Sequence, residues 1–257
     1  MTNLDVNIFG NQEADRTVVL LSSIATTHQA WSKVIPALED EFQVVTVDHR
    51  GHGKSETPKV AQGSATVQVL CDDILTALDT INVDRFTVVG LSLGGALAQY
   101  LTANSGRVDK AVFCCTATYL GGEEKWSERT GIAREKGMDA LADGFVENWF
   151  TESFREEHPD EVRRIRDMAA AVDAEGYAQN GDALAKWDFA SELSKITCPV
   201  LTIAGAQDPG TPPEELEKIA DGVAGPVESV VINPGSHQVA VENPEKFNKA
   251  LTQFLLD

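Results

Sequence analysis

The chain has 257 residues, which suits one large α/β domain with an inserted subdomain. Its 40 acidic and 21 basic residues give a formal net charge of −19, which argues against a nucleic-acid binder and leaves no basic patch for anionic lipid. An anionic substrate would meet a repulsive overall field, so its pocket would need local Arg or Lys.

Met1 to Phe9 has neither a basic n-region nor a long apolar run, so no signal peptide is expected. No apolar run is long enough to span a bilayer. Within that stretch Leu4, Val6 and Ile8 alternate with polar residues, which predicts a half-exposed strand closed by Gly10-Asn11. Thr17 to Leu21 is an apolar run of strand length and reads as a central strand. The polar segment Ser22 to His28 follows. Trp31, Val34, Ile35 and Leu38 then trace a helical face, with Pro36 inside it making that helix short or distorted.

Phe42 to Val47 is the next predicted strand. It leads into the glycine-punctuated loop Asp48-His49-Arg50-Gly51-His52-Gly53-Lys54-Ser55. Val67, Leu70, Ile74, Leu78 and Ile81 mark a long amphipathic helix. Phe86 to Gly90 reads as a buried strand and Val108 to Cys115 as another. This alternation predicts an α/β fold with a mostly parallel sheet covered by helices on both faces.

The rhythm breaks between Tyr119 and Asp188, where helical patterns carry many large apolar residues and no convincing strand. We expect residues 1–118 and 189–257 to form the core and residues 119–188 a helical cap. Such a cap would lie over the strand ends, where open α/β sheets bind ligands. The sheet resumes at Pro199 to Gly205. Pro212 and Pro213 open an acidic helix, Val227 to Ile232 is the last strand, and Pro244 starts a C-terminal helix packed through Phe247, Leu251, Phe254 and Leu255.

Cys71, Cys114, Cys115 and Cys198 show neither a disulfide pattern nor metal-ligand spacing, which fits buried free thiols in a reducing cytoplasm.

The chemistry centres on Gly90-Leu91-Ser92-Leu93-Gly94. In G-x-S-x-G a serine sits on a sharp strand-to-helix turn with its hydroxyl exposed. A serine hydroxyl is a poor nucleophile unless a base takes its proton and a carboxylate holds that base. Ser92, Asp208 and His237 supply the order Ser…Asp…His, each just after a predicted strand. Among the other histidines, His158 reads as solvated and His49 and His52 as loop hydrogen-bonders. His28 lies by the loop after Leu21, where it is expected to touch substrate. The backbone amides of Leu93 and, from that loop, Ile24 are the expected oxyanion donors.

With these residues assembled, the chain resembles the α/β-hydrolase superfamily and, more narrowly, the 3-oxoadipate enol-lactonases. The narrower similarity rests on cap segments such as Thr116-Ala117-Thr118-Tyr119-Leu120-Gly121, Trp126-Ser127-Glu128-Arg129 and Trp149-Phe150-Thr151, and on Ala204 to Glu214. It implies cofactor-free opening of a small anionic lactone in aromatic-compound degradation. It also implies a cap cation for the substrate carboxylate, for which Arg134 is the first expectation and Arg129 the second. Trp149 reads equally as pocket wall and as cap core. The chain departs from the family pattern in the loop Leu21 to Thr26, and at Asn148, which stands where the family has arginine. A carboxylesterase, another lactonase or a perhydrolase would share the triad, and a non-catalytic small-molecule binder is a further reading.

Overall fold

The computed structural model describes residues 2–257. Seven strands form one sheet: β1 (Val6–Gly10), β2 (Thr17–Leu21), β3 (Gln43–Val47), β4 (Phe86–Leu91), β5 (Val108–Cys114), β6 (Val200–Gly205) and β7 (Val227–Ile232). Their spatial order is β1-β3-β2-β4-β5-β6-β7. β1 pairs antiparallel with β3 and every other pairing is parallel. The first strand is displaced from its predicted start, since its pairing with β3 runs from Val6 to Gly10.

Strand alternation divides the core in two. Val19, Leu21, Val88, Ala111 and Phe113 face one side and pack with Leu70, Ile74, Leu97 and Leu101. Val18, Leu20, Val89, Leu91 and Val112 face the other and pack with Trp31, Leu38, Phe247 and Leu251. Burying a side chain of this size contributes about 1.5–3 kcal/mol. The first face is covered by α1 (Val67–Thr80) and α2 (Leu93–Asn104). The stretch from Trp31 to Leu38 forms two short 3-10 turns, His28–Trp31 and Ile35–Ala37. Pro36 has no amide to continue an α-helix through this point.

Five helices lie between β5 and β6: α3 (Gly122–Lys136), α4 (Asp139–Trp149), α5 (Glu152–Glu157), α6 (Pro159–Ala170) and α7 (Ala174–Leu184). α3 packs on α7 and α4 on α6. Tyr119 and Asp188, at the two ends of this segment, form an isolated antiparallel bridge. The remaining helices are α8 (Pro213–Gly222), α9 (Val239–Glu242) and α10 (Pro244–Leu256). Among the described residues no helix is long and apolar enough to cross a membrane.

Candidate active site

Ser92 stands between β4 and α2 with φ 59° and ψ −111°, a left-handed conformation rare for a residue with a side chain. Its neighbours hold it there. The Ser92 amide donates to Cys114 O at 2.9 Å, and the Thr116 hydroxyl donates to Ser92 O at 2.9 Å. Glycine is required on both sides. A Cβ on Gly90 would strike the Gly94 carbonyl, and one on Gly94 would strike the Leu21 carbonyl. The turn therefore brings the start of α2 against the end of β2.

Asp208 follows β6 and His237 follows β7. His237 Nδ1 lies 2.7 Å from Asp208 Oδ2. The Thr211 hydroxyl donates to the same oxygen at 2.6 Å, while the Gly210 and Thr211 amides donate to Oδ1 at 2.8 and 3.1 Å. Burial opposes ionisation of Asp208, yet the His237 charge and the Thr211 hydrogen bonds outweigh it and hold the carboxyl below its usual range. An ionised Asp208 can only accept, so His237 carries its proton on Nδ1 and leaves Nε2 as the basic nitrogen. Thr211 is part of this arrangement that sequence reasoning missed. A threonine three residues after an aspartate, at the head of a proline-started helix, is the available signal.

Ser92, Asp208 and His237 all line one cavity of about 230 Å³, with Ser23, Ile24 and cap residues making up the rest of its wall. This is below the roughly 300–1,000 Å³ of sites for drug-sized ligands, so the space suits a small molecule. Trp149 takes both of its expected roles. It lines the cavity, approaches the His237 ring at 6.5 Å and stacks on Phe145 at 5.0 Å inside the cap. Asn148 also lines the cavity.

Arg129 faces the cavity, with its guanidinium 5.6 Å from the Trp126 ring. Lys125, one helical turn earlier, faces it too and was not expected from the sequence. Burial at the cavity edge and the neighbouring Arg129 charge lower the Lys125 pKa, with Asp208 acting the other way. Neither cation forms an ion pair with a carboxylate among the described residues.

Two expectations are corrected. Arg134 does not line the cavity; it bonds Glu175 Oε2 at 2.8 Å and Asp182 Oδ2 at 2.6 Å, joining α3 to α7. Five residues along an α-helix rotate a side chain by about 140° from Arg129, so the two cannot share a face. His28 does not line the cavity either. Its backbone amide and Nδ1 meet the two oxygens of buried Asp48 at 2.6 and 2.9 Å, and the Asp48 hydrogen bond raises its pKa.

His49 and His52 are buried in the loop after β3, as loop hydrogen-bonders should be. Burial lowers the pKa of both, that of His52 to about 4 with help from the adjacent His49. The Arg50 carbonyl, Asp48 and Asp173 oppose the shift at His52. Because the unfolded imidazole titrates near pH 6.5, this contribution to stability is complete above that pH. It is lost as the pH falls from about 6.5 toward 4. His28 runs the other way, its contribution fading as pH rises through its raised value. Thermal melts taken from about pH 7 down to pH 4 are expected to show a falling Tm, with His52→Gln falling less steeply. Parallel curves for the two proteins would contradict this.

The comparisons agree with the fold. The alpha/beta hydrolase fold family matches residues 16–244. The chain is 33% identical to 3-oxoadipate enol-lactonase 2 of Acinetobacter baylyi, covering 93% of this chain and 88% of that protein. It is 25% identical to a putative carbamate hydrolase RutD of Agrobacterium fabrum, over 97% of each. The crystal structure of the enol-lactonase from Burkholderia xenovorans LB400 superposes with a TM-score of 0.94 at 34% identity, covering 100% of this chain and 97% of that one. With its nucleophile-type turn, its strand-end aspartate and histidine and its helical insertion, the chain belongs to the α/β-hydrolase fold family and is similar over nearly its whole length to 3-oxoadipate enol-lactonases.

Proposed function

We propose that the protein hydrolyses a small enol-lactone bearing a carboxylate, of the 3-oxoadipate enol-lactone type, through an acyl-serine intermediate. The observation that carries this reading is the pair Lys125 and Arg129, two cations without carboxylate ion-pair partners among the described residues, over a cavity that also holds Ser92 and His237. The similarity to enol-lactonases supports it.

Ser92 Oγ attacks the lactone carbonyl as His237 Nε2 takes its proton. The Ile24 and Leu93 amides stabilise the resulting oxyanion. Among the amides from Ile24 to His28, the other four have acceptors: His52 Nε2, Ser23 O, Met168 Sδ and Asp48 Oδ1. Leu93, as the first residue of α2, has no intrahelical acceptor for its amide. The intermediate collapses, the ring C–O bond breaks, and the departing enol oxygen takes the His237 proton. Water, deprotonated by His237, attacks the acyl carbon and frees Ser92. The enol tautomerises to the ketone. No step calls for a cofactor.

Arg129→Ala is expected to raise KM for 3-oxoadipate enol-lactone by about ten- to hundredfold, since hydrogen bonds to charged groups are worth about 1.5–3 kcal/mol. Lys125→Ala should raise it by a smaller factor, because that side chain is more exposed. Both variants should leave p-nitrophenyl acetate turnover near wild type. Steady-state kinetics on the two substrates checks this. Equal losses on both, or faster wild-type turnover of a carbamate than of the lactone, would overturn the assignment.

A further inference from the structure

Stabilising an oxyanion requires its two amide donors to be fixed relative to each other before the charge forms. The segment holding Ile24 has no regular secondary structure, and Ala25, next to it, sits at φ 62°. That conformation is costly for a residue with a Cβ and persists only where surrounding contacts impose it. Their source is the glycine-punctuated loop after β3.

On the near side of Ile24, the Ser22 carbonyl accepts the Gly94 amide at 3.1 Å and His49 Nε2 at 2.8 Å. This ties the segment to the start of α2, beside Leu93. On the far side, the Ala25 amide donates to His52 Nε2 at 2.9 Å. His52 Nδ1 lies 2.8 Å from the Arg50 carbonyl, which can only accept. The ring is therefore neutral with its proton on Nδ1, and Nε2 is free to accept from Ala25. The same carbonyl takes a hydrogen bond from Asn180 on α7 at 3.1 Å. Gly51 and Gly53, at φ 69° and 58°, turn the chain so that a wholly buried ring can reach inward between them.

We propose that His52 is a positioning residue for the oxyanion hole: by accepting the Ala25 amide it holds Ala25 in its left-handed conformation and so aims the Ile24 amide at the charge developing on the carbonyl oxygen. The inference rests on the reading of Ile24 and Leu93 as oxyanion donors. Without that acceptor, the Ala25 amide is unsatisfied and the backbone on the far side of Ile24 relaxes. The ground-state substrate is bound by cap and cavity wall, so the effect falls on the transition state.

The test compares three variants on p-nitrophenyl acetate, whose turnover does not depend on the lactone assignment. In His52→Gln the side-chain amide oxygen reaches the Nε2 position and can still accept from Ala25. In His52→Asn the shorter amide reaches only the Nδ1 position, and in His52→Leu no acceptor remains. Asparagine and leucine are expected to lower kcat by about 10²-fold with KM within about twofold, toward the 10²–10³ seen on losing an oxyanion donor. Glutamine should recover at least about tenfold of that loss. The affinity for n-butylboronic acid, whose serine adduct is tetrahedral, should fall in parallel with kcat/KM. Should leucine prevent folding, the Gln–Asn pair decides alone, both being polar and able to keep the Arg50 contact. Wild-type kcat in Asn, equal activities for Gln and Asn, or unchanged boronate affinity beside a reduced kcat would overturn the proposal. Full activity of Ser92→Ala would instead overturn the hydrolase reading beneath it.

Discussion

Ser92→Ala is expected to reduce kcat by about 10⁶, the scale of removing the nucleophile from a serine–histidine pair. The residue is buried within the turn, and its backbone is held by Cys114, Thr116 and Ala96 rather than by its hydroxyl. Alanine at this position keeps the same left-handed strain, so the fold should survive. Two readouts separate chemistry from collapse. The variant should melt near the wild-type temperature, and it should still bind the lactone with a dissociation constant close to the wild-type KM. A stopped-flow burst of p-nitrophenol from p-nitrophenyl acetate should disappear with it. Turnover within tenfold of wild type would rule out an acyl-serine.

Asp208→Asn is expected to cost about 10⁴ in kcat with little change in KM. The geometry shows why an isosteric change is so damaging. Oδ1 accepts from the Gly210 and Thr211 amides, so only an oxygen is tolerated there. The asparagine NH₂ is forced into the Oδ2 place, facing His237 Nδ1 and the Thr211 hydroxyl. A donor at Nδ1 moves the imidazole proton to Nε2, and the nitrogen needed as a base becomes a donor. A loss of tenfold or less would mean that Asp208 is not what sets the His237 tautomer.

The local geometry that carries chemistry was largely legible from the chain. Ser92, Asp208 and His237 each come just after a predicted strand, and a parallel sheet gathers such ends on one edge. Thr17 to Leu21 was legible as a central strand, and in the structure Val18 and Leu20 line one face of the sheet and Val19 and Leu21 the other. The cap was less legible. Its helices could be recognised, but which side of each helix faces the cavity depends on how the segment is set on the sheet, and no local pattern encodes that. Lys125 reads as an ordinary solvated charge beside Glu123 and Glu124, while Arg134 finds its partners Glu175 and Asp182 more than forty residues away. His28 failed for a related reason. Its position beside the Ile24 segment was inferred correctly, but its ring turns back to Asp48 on the neighbouring strand end. His49 and His52 were read as loop hydrogen-bonders, yet their partners Ser22 and Ala25 lie 27 residues away and could not be named.

The two charged sides of α3 have different work. Arg134, on its back, anchors the helix to α7 through Glu175 and Asp182, while Lys125 and Arg129 on its front form no ion pair with a carboxylate among the described residues. The anchoring contacts and the cavity-facing cations thus belong to different residues of one helix. Exchanging the front pair for neutral or acidic residues alters the charge of the cavity wall while the anchoring remains. For a descendant gene or an engineer, the charge on this side of the cavity is a two-position setting.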